Sequence, residues 1–493
     1  MSELQEIHRT AIRQFDAIQM AEAPEREQCL LDRRFVTVTG AQWEGVLENG
    51  QQKPKLEINK IALTIMRYIS EYRNNRITVV YQSKQGEQND KTAEALTDLY
   101  RGIEQSSIAE EAYDNAFGEA ISGGIGAFRI ATEYEDDEDD EDECQKACLE
   151  PIYDADSCVF FDLSSKRQDK SDAKHCFVIS AMTPDAFKEE YPKAAMIDVQ
   201  KQVDSSIFDW FSVECVYVAE YYKVEKIKEQ VVYFETPQGS KENYRQSELD
   251  EDAEILASLK ARGFVKKSTK KITKQKVRKY IISGGEILED CGHIAGKYIP
   301  IIPVYGIRAV VDGIERPRGH VRLAKDAQRL KNMQMGKLAE IAVTSPVRKP
   351  IVNAQAIQNH QLMWQQDNVM NYPYLLVDPV IDEQGNASSP ILGYTEPYDV
   401  PNALAAIMQF TELDIKEILG NPQDAEKMVS NISGEAVERI QNQVGMNVYI
   451  YISNFAKAVR WAGEVFLHIA KDIYNEPNRK VKGIGDAGEQ KTI

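Results

Sequence analysis

From Gly434 the chain runs without a proline until Pro477, about 40 residues that read as one helix of roughly 60 Å at 1.5 Å per residue. Ser433 can cap its start, Glu435 suits its positive end, and Gly445 is a point where it can kink. A helix this far above the ordinary length cannot be covered by one small core. It must pack along several elements or along other subunits. The 493 residues support that reading, since this length predicts two to four domains.

Upstream the pattern is again helical. A helix with Pro401 in its first turn runs to Leu419 and carries Leu404, Ile407, Phe410 and Ile418. Gly420-Asn-Pro422 stops it, because glycine takes the left-handed cap and proline cannot continue the helix. Residues 421–433 read as a polar loop. Gly319 to Val343 predicts another helix, with the stripe Leu323, Leu330, Leu338 and Ile341 surrounded by Arg322, Lys325, Arg329, Lys331 and Lys337. Ser345-Pro-Val-Arg-Lys-Pro350 ends it. Residues 350–400 are short and irregular, with a strand-like Tyr374 to Val377.

The first half mixes periods. Residues 2–20 read as a helix that breaks at a loop around Pro24. Helices follow at Glu57 to Asn74, 91–103 and 107–121, with a strand at Ile77 to Tyr81 between them. Ser122-Gly-Gly-Ile-Gly126 turns a helix into the strand Ala127 to Tyr134. From 150 to 312, segments rich in Val, Ile, Tyr and Phe predict strands at Ser157 to Asp162, Cys176 to Ser180, Val213 to Lys223, Gln230 to Glu235, Lys276 to Ser283 and Ile299 to Tyr305. A short helix, Pro184 to Tyr191, interrupts them. The end of the chain, from Arg479, reads as a hairpin turning near Asp486-Ala-Gly488.

Two charge clusters stand out. Ten of the eleven residues 133–143 are acidic, which predicts a solvated loop; a divalent-cation site is the sharper alternative, but the spacing of a calcium loop is missing. Residues 260–279 hold ten Lys/Arg and no acid, either the solvated face of a hairpin or a nucleic-acid contact. The seven cysteines read as reduced thiols, and Cys144 with Cys148 lacks the further ligands of a zinc site. The expectation is no metal and no cofactor. His320 and His468 read as ordinary side chains on helix faces. No phosphate-loop, dinucleotide, zincin or hydrolase-elbow pattern occurs, so no catalytic residues are expected. No run of eighteen apolar residues suggests a membrane span, and the acidic start lacks a secretory h-region.

Several stretches resemble the portal (head-to-tail connector) proteins of short-tailed double-stranded DNA phages, most closely the large enterobacterial type. They are Phe161-Asp-Leu-Ser-Ser-Lys166 with Asp169 to Cys176, Ile299-Pro-Ile-Ile-Pro-Val-Tyr-Gly306, Val321 to Met333, Ser122 to Tyr134, Gln42-Trp43 and Asn59 to Arg76. The resemblance implies a mainly α fold with an α+β wing, in a ring of twelve subunits. The wing would be 1–315, helical first and β-rich from about 150. Stem helix 1 would be 316–344, the clip 345–398, stem helix 2 399–420, the tunnel loop 421–433 and the long wing helix 434–475. Residues 476–493 would begin a hairpin leading to a crown. The related type continues into that crown and in some members a barrel, so the end inside a hairpin reads as a truncation.

The resemblance also implies site residues. Lys427, Met428 and Asn431 would lie in the tunnel loop nearest DNA. Arg322, Lys325, Arg329, Lys331, Lys337, Asp414 and Glu417 would face the channel or pair between subunits. Arg348, Lys349 and Trp364 would dock partners at the clip. The partners implied are the terminase large subunit, a tail adaptor, the major capsid and scaffolding proteins, and double-stranded DNA as cargo. The place implied is the portal vertex of the virion, after assembly in the host cytoplasm. The rival readings are a metal-dependent nucleic-acid enzyme using Asp136 to Glu143, and another virion structural or adaptor protein.

The net charge of −19 fits a conduit better than a DNA-binding groove. Half of it lies in the 133–143 loop, while residues 316–349 hold nine Lys/Arg against two acids. DNA is expected as cargo, not as a tightly held ligand.

Overall fold

The computed structural model describes residues 3–45, 55–83, 86–135, 144–192, 194, 208–212, 214–235, 241–245, 262, 264–344, 350–370, 372–381, 387–394, 402–420, 434–474, 479, 481–485 and 488–492. Two compact units emerge. The first comprises Met1–Val38, Ile61–Leu323 and Gly420–Ile493; the second comprises Thr39–Lys60 and Ala324–Leu419. Thr39–Lys60, far from 324–419 in sequence, is grouped with it in the second unit.

In the first unit, helix α1 (Glu3–Thr37) is continuous through Pro24, where a loop was expected. Proline removes one N–H, a cost that tertiary burial can offset. Here Phe15, Ile18, Cys29 and Phe35 are buried along the helix, and Glu22 pairs with Arg26 at 2.7 Å across the proline turn. Helices α2 (Lys60–Asn74), α3 (Gly86–Ser106) and α4 (Ala109–Ser122) follow. The segment Ile77 to Tyr81 is extended but joins no sheet. Its backbone is met by a side chain instead, with Tyr81 N–H donating to Thr97 Oγ1 at 3.0 Å.

Two antiparallel sheets carry the β content of this unit. Strands β1 (Ile125–Tyr134), β2 (Gln145–Ile152) and β9 (Ile301–Tyr305) form one, with β1 central. The other has the order β3 (Val159–Phe161), β4 (His175–Met182), β5 (Val216–Glu235), β7 (Val265–Ile282), β8 (Ile287–Ile294), with β6 (Lys241–Arg245) pairing β5. Short helices α5 (Ala155–Cys158) and α6 (Pro184–Glu190) lie between strands. The two strands read at 213–223 and 230–235 are one 20-residue strand. The charged stretch between them continues the ladder with β7, where Glu225 lies opposite Lys276 and is held by Lys223 at 2.9 Å and His293 at 3.2 Å. A hairpin of β10 (Ile307–Val311) and β11 (Ile314–Arg318) follows β9. The sequence reading ended the β-rich part before it.

Gly126 and Gly306 let strand backbones close onto α4: a β-carbon at either would run into the carbonyls of Ala116 or Ala120. The long helix α10 (Gly434–Ile473) is continuous through Gly445. From Val448 onward it buries Tyr451, Phe455, Val459, Ala462, Phe466, Ile469 and Ile473, the 3–4 spacing of a core face. Phe455 stands edge-on to Tyr72 and Phe117, at 5.0 and 5.5 Å, tying α10 to α2 and α4. Strands β16 (Lys482–Ile484) and β17 (Gln490–Thr492) pair as the expected terminal hairpin.

The second unit contains most of helix α7 (Val321–Thr344), helix α8 (Gln361–Met370) and helix α9 (Asn402–Leu419). Strand β12 (Pro350–Val352) pairs β15 (Ile391–Tyr394), and β13 (Val380–Ile381) pairs β14 (Ala387–Ser388). Tyr374 to Val377 is extended without a strand partner, and α8 occupies a stretch read as irregular. Gly420 ends α9 with φ of 61°, the left-handed stop expected there.

Candidate interface and channel residues

Helix α7 is built inside out. Gln328 and Asn332 are buried, at 0% and 1% exposure, while Leu330 and Met333 are 45% and 42% exposed. The buried amides have a specific task. Gln328 donates to Ile58 O at 2.6 Å and accepts from Lys60 N–H at 3.2 Å, as a neighbouring strand would. Asn332 accepts from Ile58 N–H at 3.1 Å and donates to Gln42. One helix turn therefore satisfies an extended segment that has no sheet partner. Gln334 donates to Thr411 Oγ1 of α9 at 2.8 Å.

Apolar side chains are left on the outer face. On α9 the buried positions are Thr411, Ile415 and Leu419, whereas Ile407, Phe410 and Leu413 are 49%, 65% and 56% exposed. Exposed apolar patches, when large, are found at interaction surfaces.

The expected stem residues divide by position. Arg322 is committed within the first unit: its Nε donates to the fully buried Asp32 at 2.7 Å, and its Nη1 meets Glu25 at 3.4 Å. Lys331 and Lys60 both pair with Glu412. Burial pushes the Glu412 carboxyl upward, but hydrogen bonds from these two lysines hold it below its usual value. Arg329 donates to Glu44 O at 3.2 Å, and Lys337 pairs with Glu340 at 3.0 Å. Lys325 is half-buried, and Asp414 and Glu417 are exposed beside Leu413. In the clip region, Trp364 is half-buried, and its indole N–H donates to Leu376 O at 2.9 Å. Arg348, Lys349, Lys427, Met428 and Asn431 lie outside the described residues, as do Asp136 to Glu143. The amides that sequence reasoning missed carry a legible signal: Gln328 and Asn332 are spaced i, i+4 on the side opposite Leu330.

Among the described residues, one cluster has metal-ligand types, Glu133, Cys148 and Glu150, with atoms within 4.8 Å of one another. It suits a metal poorly. Burial, with the two carboxylates beside it, pushes the Cys148 thiol up to about 12, so it holds its proton. Arg129 already takes Glu150 at 2.6 Å. His320, expected on a helix face, sits in the turn before α7, where its N–H donates to Ile121 O at 2.7 Å.

The family model for Phage P22-like portal protein matches residues 12–493. The chain belongs to the P22-like phage portal protein family. A portal protein of Acyrthosiphon pisum secondary endosymbiont phage 1 is 36% identical over 498 residues, spanning 98% of this chain and 68% of that protein. A portal protein is a structural component of the phage capsid, not an enzyme, and the nuclease reading is not favoured. Among the described residues no helix is long and apolar enough to cross a membrane.

Proposed function

We propose that copies of this chain close head-to-tail into a ring at the capsid vertex, twelve by resemblance, and that the exposed stripes of α7 and α9 form its seams. The carrying observation is the inverted helix α7, which buries Gln328 and Asn332 and leaves Leu330 and Met333 in water. The amides serve the subunit itself, but an isolated subunit gains nothing from the exposed stripe, whereas a neighbour covering it removes apolar surface from water. Ring closure needs two different complementary faces on each subunit, and two striped helices supply them.

In this reading α7 and α9 are the stem helices and the segment between them is the clip. The clip, with Arg348, Lys349 and Trp364, receives the terminase large subunit and later the tail adaptor. Capsid and scaffolding proteins hold the ring's outside, and assembly precedes DNA entry, in the host cytoplasm. The 421–433 loop, with Lys427, Met428 and Asn431, reaches the DNA that passes during packaging and ejection. In this reading Lys325, Lys337, Asp414 and Glu417 face the neighbour or the channel, Lys337 together with its partner Glu340. Arg322 keeps its place inside the subunit, and Lys331 stays with Glu412.

The charge reversal Lys427→Glu tests the loop assignment. Rings should still assemble, while DNA packaging or retention changes. Loss of rings with normal subunit folding would contradict the assignment.

A further inference from the structure

Of the ten cations at 260–279, Lys274 and Lys276 line a groove, so this part of the run is more than a solvated hairpin face. Strand β7 pairs with β8 from Val277 onward only, so on that side the edge of residues 273–276 is left beside an open groove of about 1210 Å³. Lysines from four elements line that groove: Lys226 and Lys228 from β5, Lys274 and Lys276 from β7, Lys297 from the loop after β8, and Lys471 from the last turn of α10. Asp472 is the one carboxylate lining it among the described residues, and it is occupied: its Oδ2 accepts from Gly296 N–H at 2.9 Å. Among the described residues Lys226, Lys228, Lys276, Lys297 and Lys471 form no ion pair; Lys297 lies over the ring of Tyr298 at 4.5 Å.

The positive field is felt inside the protein. His468, which also lines the groove, has its pKa held below the usual histidine value, by burial first and then by Lys297 and Lys471, although Glu464 and Asp472 oppose them. Lysines on an edge strand commonly guard it against pairing with another strand. That accounts for Lys276, and it extends to Lys226 and Lys228, whose stretch of β5 lies between its pairings with β4 and β6, but it does not account for Lys297 and Lys471, which are not on the sheet. Convergence from separate elements on an acidic chain is the mark of an anion-binding surface.

We propose that this groove on the first unit, whose lining includes no residue of 421–433 and none of α7 or α9, binds the phosphodiester backbone of duplex DNA. The lining favours phosphate over a protein segment. Its apolar contribution is Ile294 and Ala295, with no aromatic or large aliphatic pocket to anchor a peptide. Phosphates need only cations at intervals along an open track, and such contacts are sequence-independent and weakened by salt. The overall charge of −19 keeps the hold weak, which suits DNA that must later leave. The choice of duplex rests on the portal reading; the anion-binding chemistry of the groove does not.

Fluorescence anisotropy of a labelled duplex of about 30 base pairs, titrated with the purified full chain across a salt series, tests this. The triple change Lys226→Glu, Lys228→Glu and Lys471→Glu should flatten the slope of log K against log salt by about 3, and weaken binding at low salt by on the order of tenfold or more. The exposed pair Lys91→Glu and Lys188→Glu, outside the groove, should leave both unchanged. The corresponding Lys→Gln set adds no acid beside Asp472, guards against misfolding, and should flatten the slope in the same way. An unchanged slope in both triple variants would overturn the proposal. So would a poly-glutamate of equal charge that displaces the duplex at lower concentration, because the groove would then be made for an acidic protein segment. Failure of the portal reading itself would appear in particle images, not in this titration.

Discussion

Phe410 gives the clearest quantitative consequence of the exposed apolar stripe on α9. It is 65% exposed in the subunit. A phenylalanine side chain offers roughly 200 Å², so covering the exposed part removes about 130 Å² from water, worth ~3 kcal/mol at ~25 cal per Å². Incomplete covering at a curved seam lowers this to about 2–3 kcal/mol per interface. Phe410→Ala should therefore raise the concentration at which subunits associate by roughly 30- to 150-fold per contact. Mass photometry over a dilution series reads that shift. Urea unfolding of the dissociated subunit should move by less than about 0.5 kcal/mol, because an exposed side chain supports little of the subunit's own core. The reasoning fails if association is unchanged while subunit stability drops, since Phe410 would then pack within its own chain.

Three further outcomes follow from contacts inside the subunit. Gln328→Leu strands the carbonyl of Ile58 and the N–H of Lys60, and should destabilise the second unit by about 2–4 kcal/mol, with faster hydrogen exchange at Lys60. Arg322→Ala leaves the buried Asp32 without its guanidinium, and should cost about 2–4 kcal/mol in thermal or urea unfolding of the subunit; an effect on DNA passage at unchanged subunit stability would contradict this placement. Burial pushes the Glu315 carboxyl upward, but bonds from Arg308 and Lys170 (the latter at 2.6 Å) hold it below its usual value. A depressed carboxylate contributes stability above its unfolded value of about 4.3, and loses it as pH falls through the folded value, so Glu315→Gln should flatten the acid limb of an unfolding-versus-pH curve.

Much of the helical layout was legible because its signals are local. The proline-free run after Gly434 became α10, and Gly420-Asn-Pro422 ended α9 where its chemistry demanded. Local signals failed where tertiary contacts overrode them. Pro24 sits inside α1 because the flanking turns are buried and paired. Ile77 to Tyr81 has strand composition but takes its partner from the Thr97 side chain. Helix α7 shows the limit most directly. Its apolar stripe is plain in the sequence, but periodicity cannot say whether such a stripe faces the chain's own core or a neighbour. The buried amides Gln328 and Asn332 settle which side faces inward, and that depends on a segment some 270 residues away. Charge alone also could not sort the stem cations: Arg322 and Lys331 look alike in sequence, yet one holds Asp32 and the other Glu412.

The central claim is that subunits join through the outward stripes of α7 and α9. Cryo-electron microscopy of the purified chain, with native mass spectrometry of the same sample, tests it most directly. The account predicts closed rings, twelve-fold by resemblance, with Leu330, Met333, Phe410 and Leu413 covered at each seam. A monomer at all concentrations, or a ring whose seams leave these four side chains in water, would contradict it.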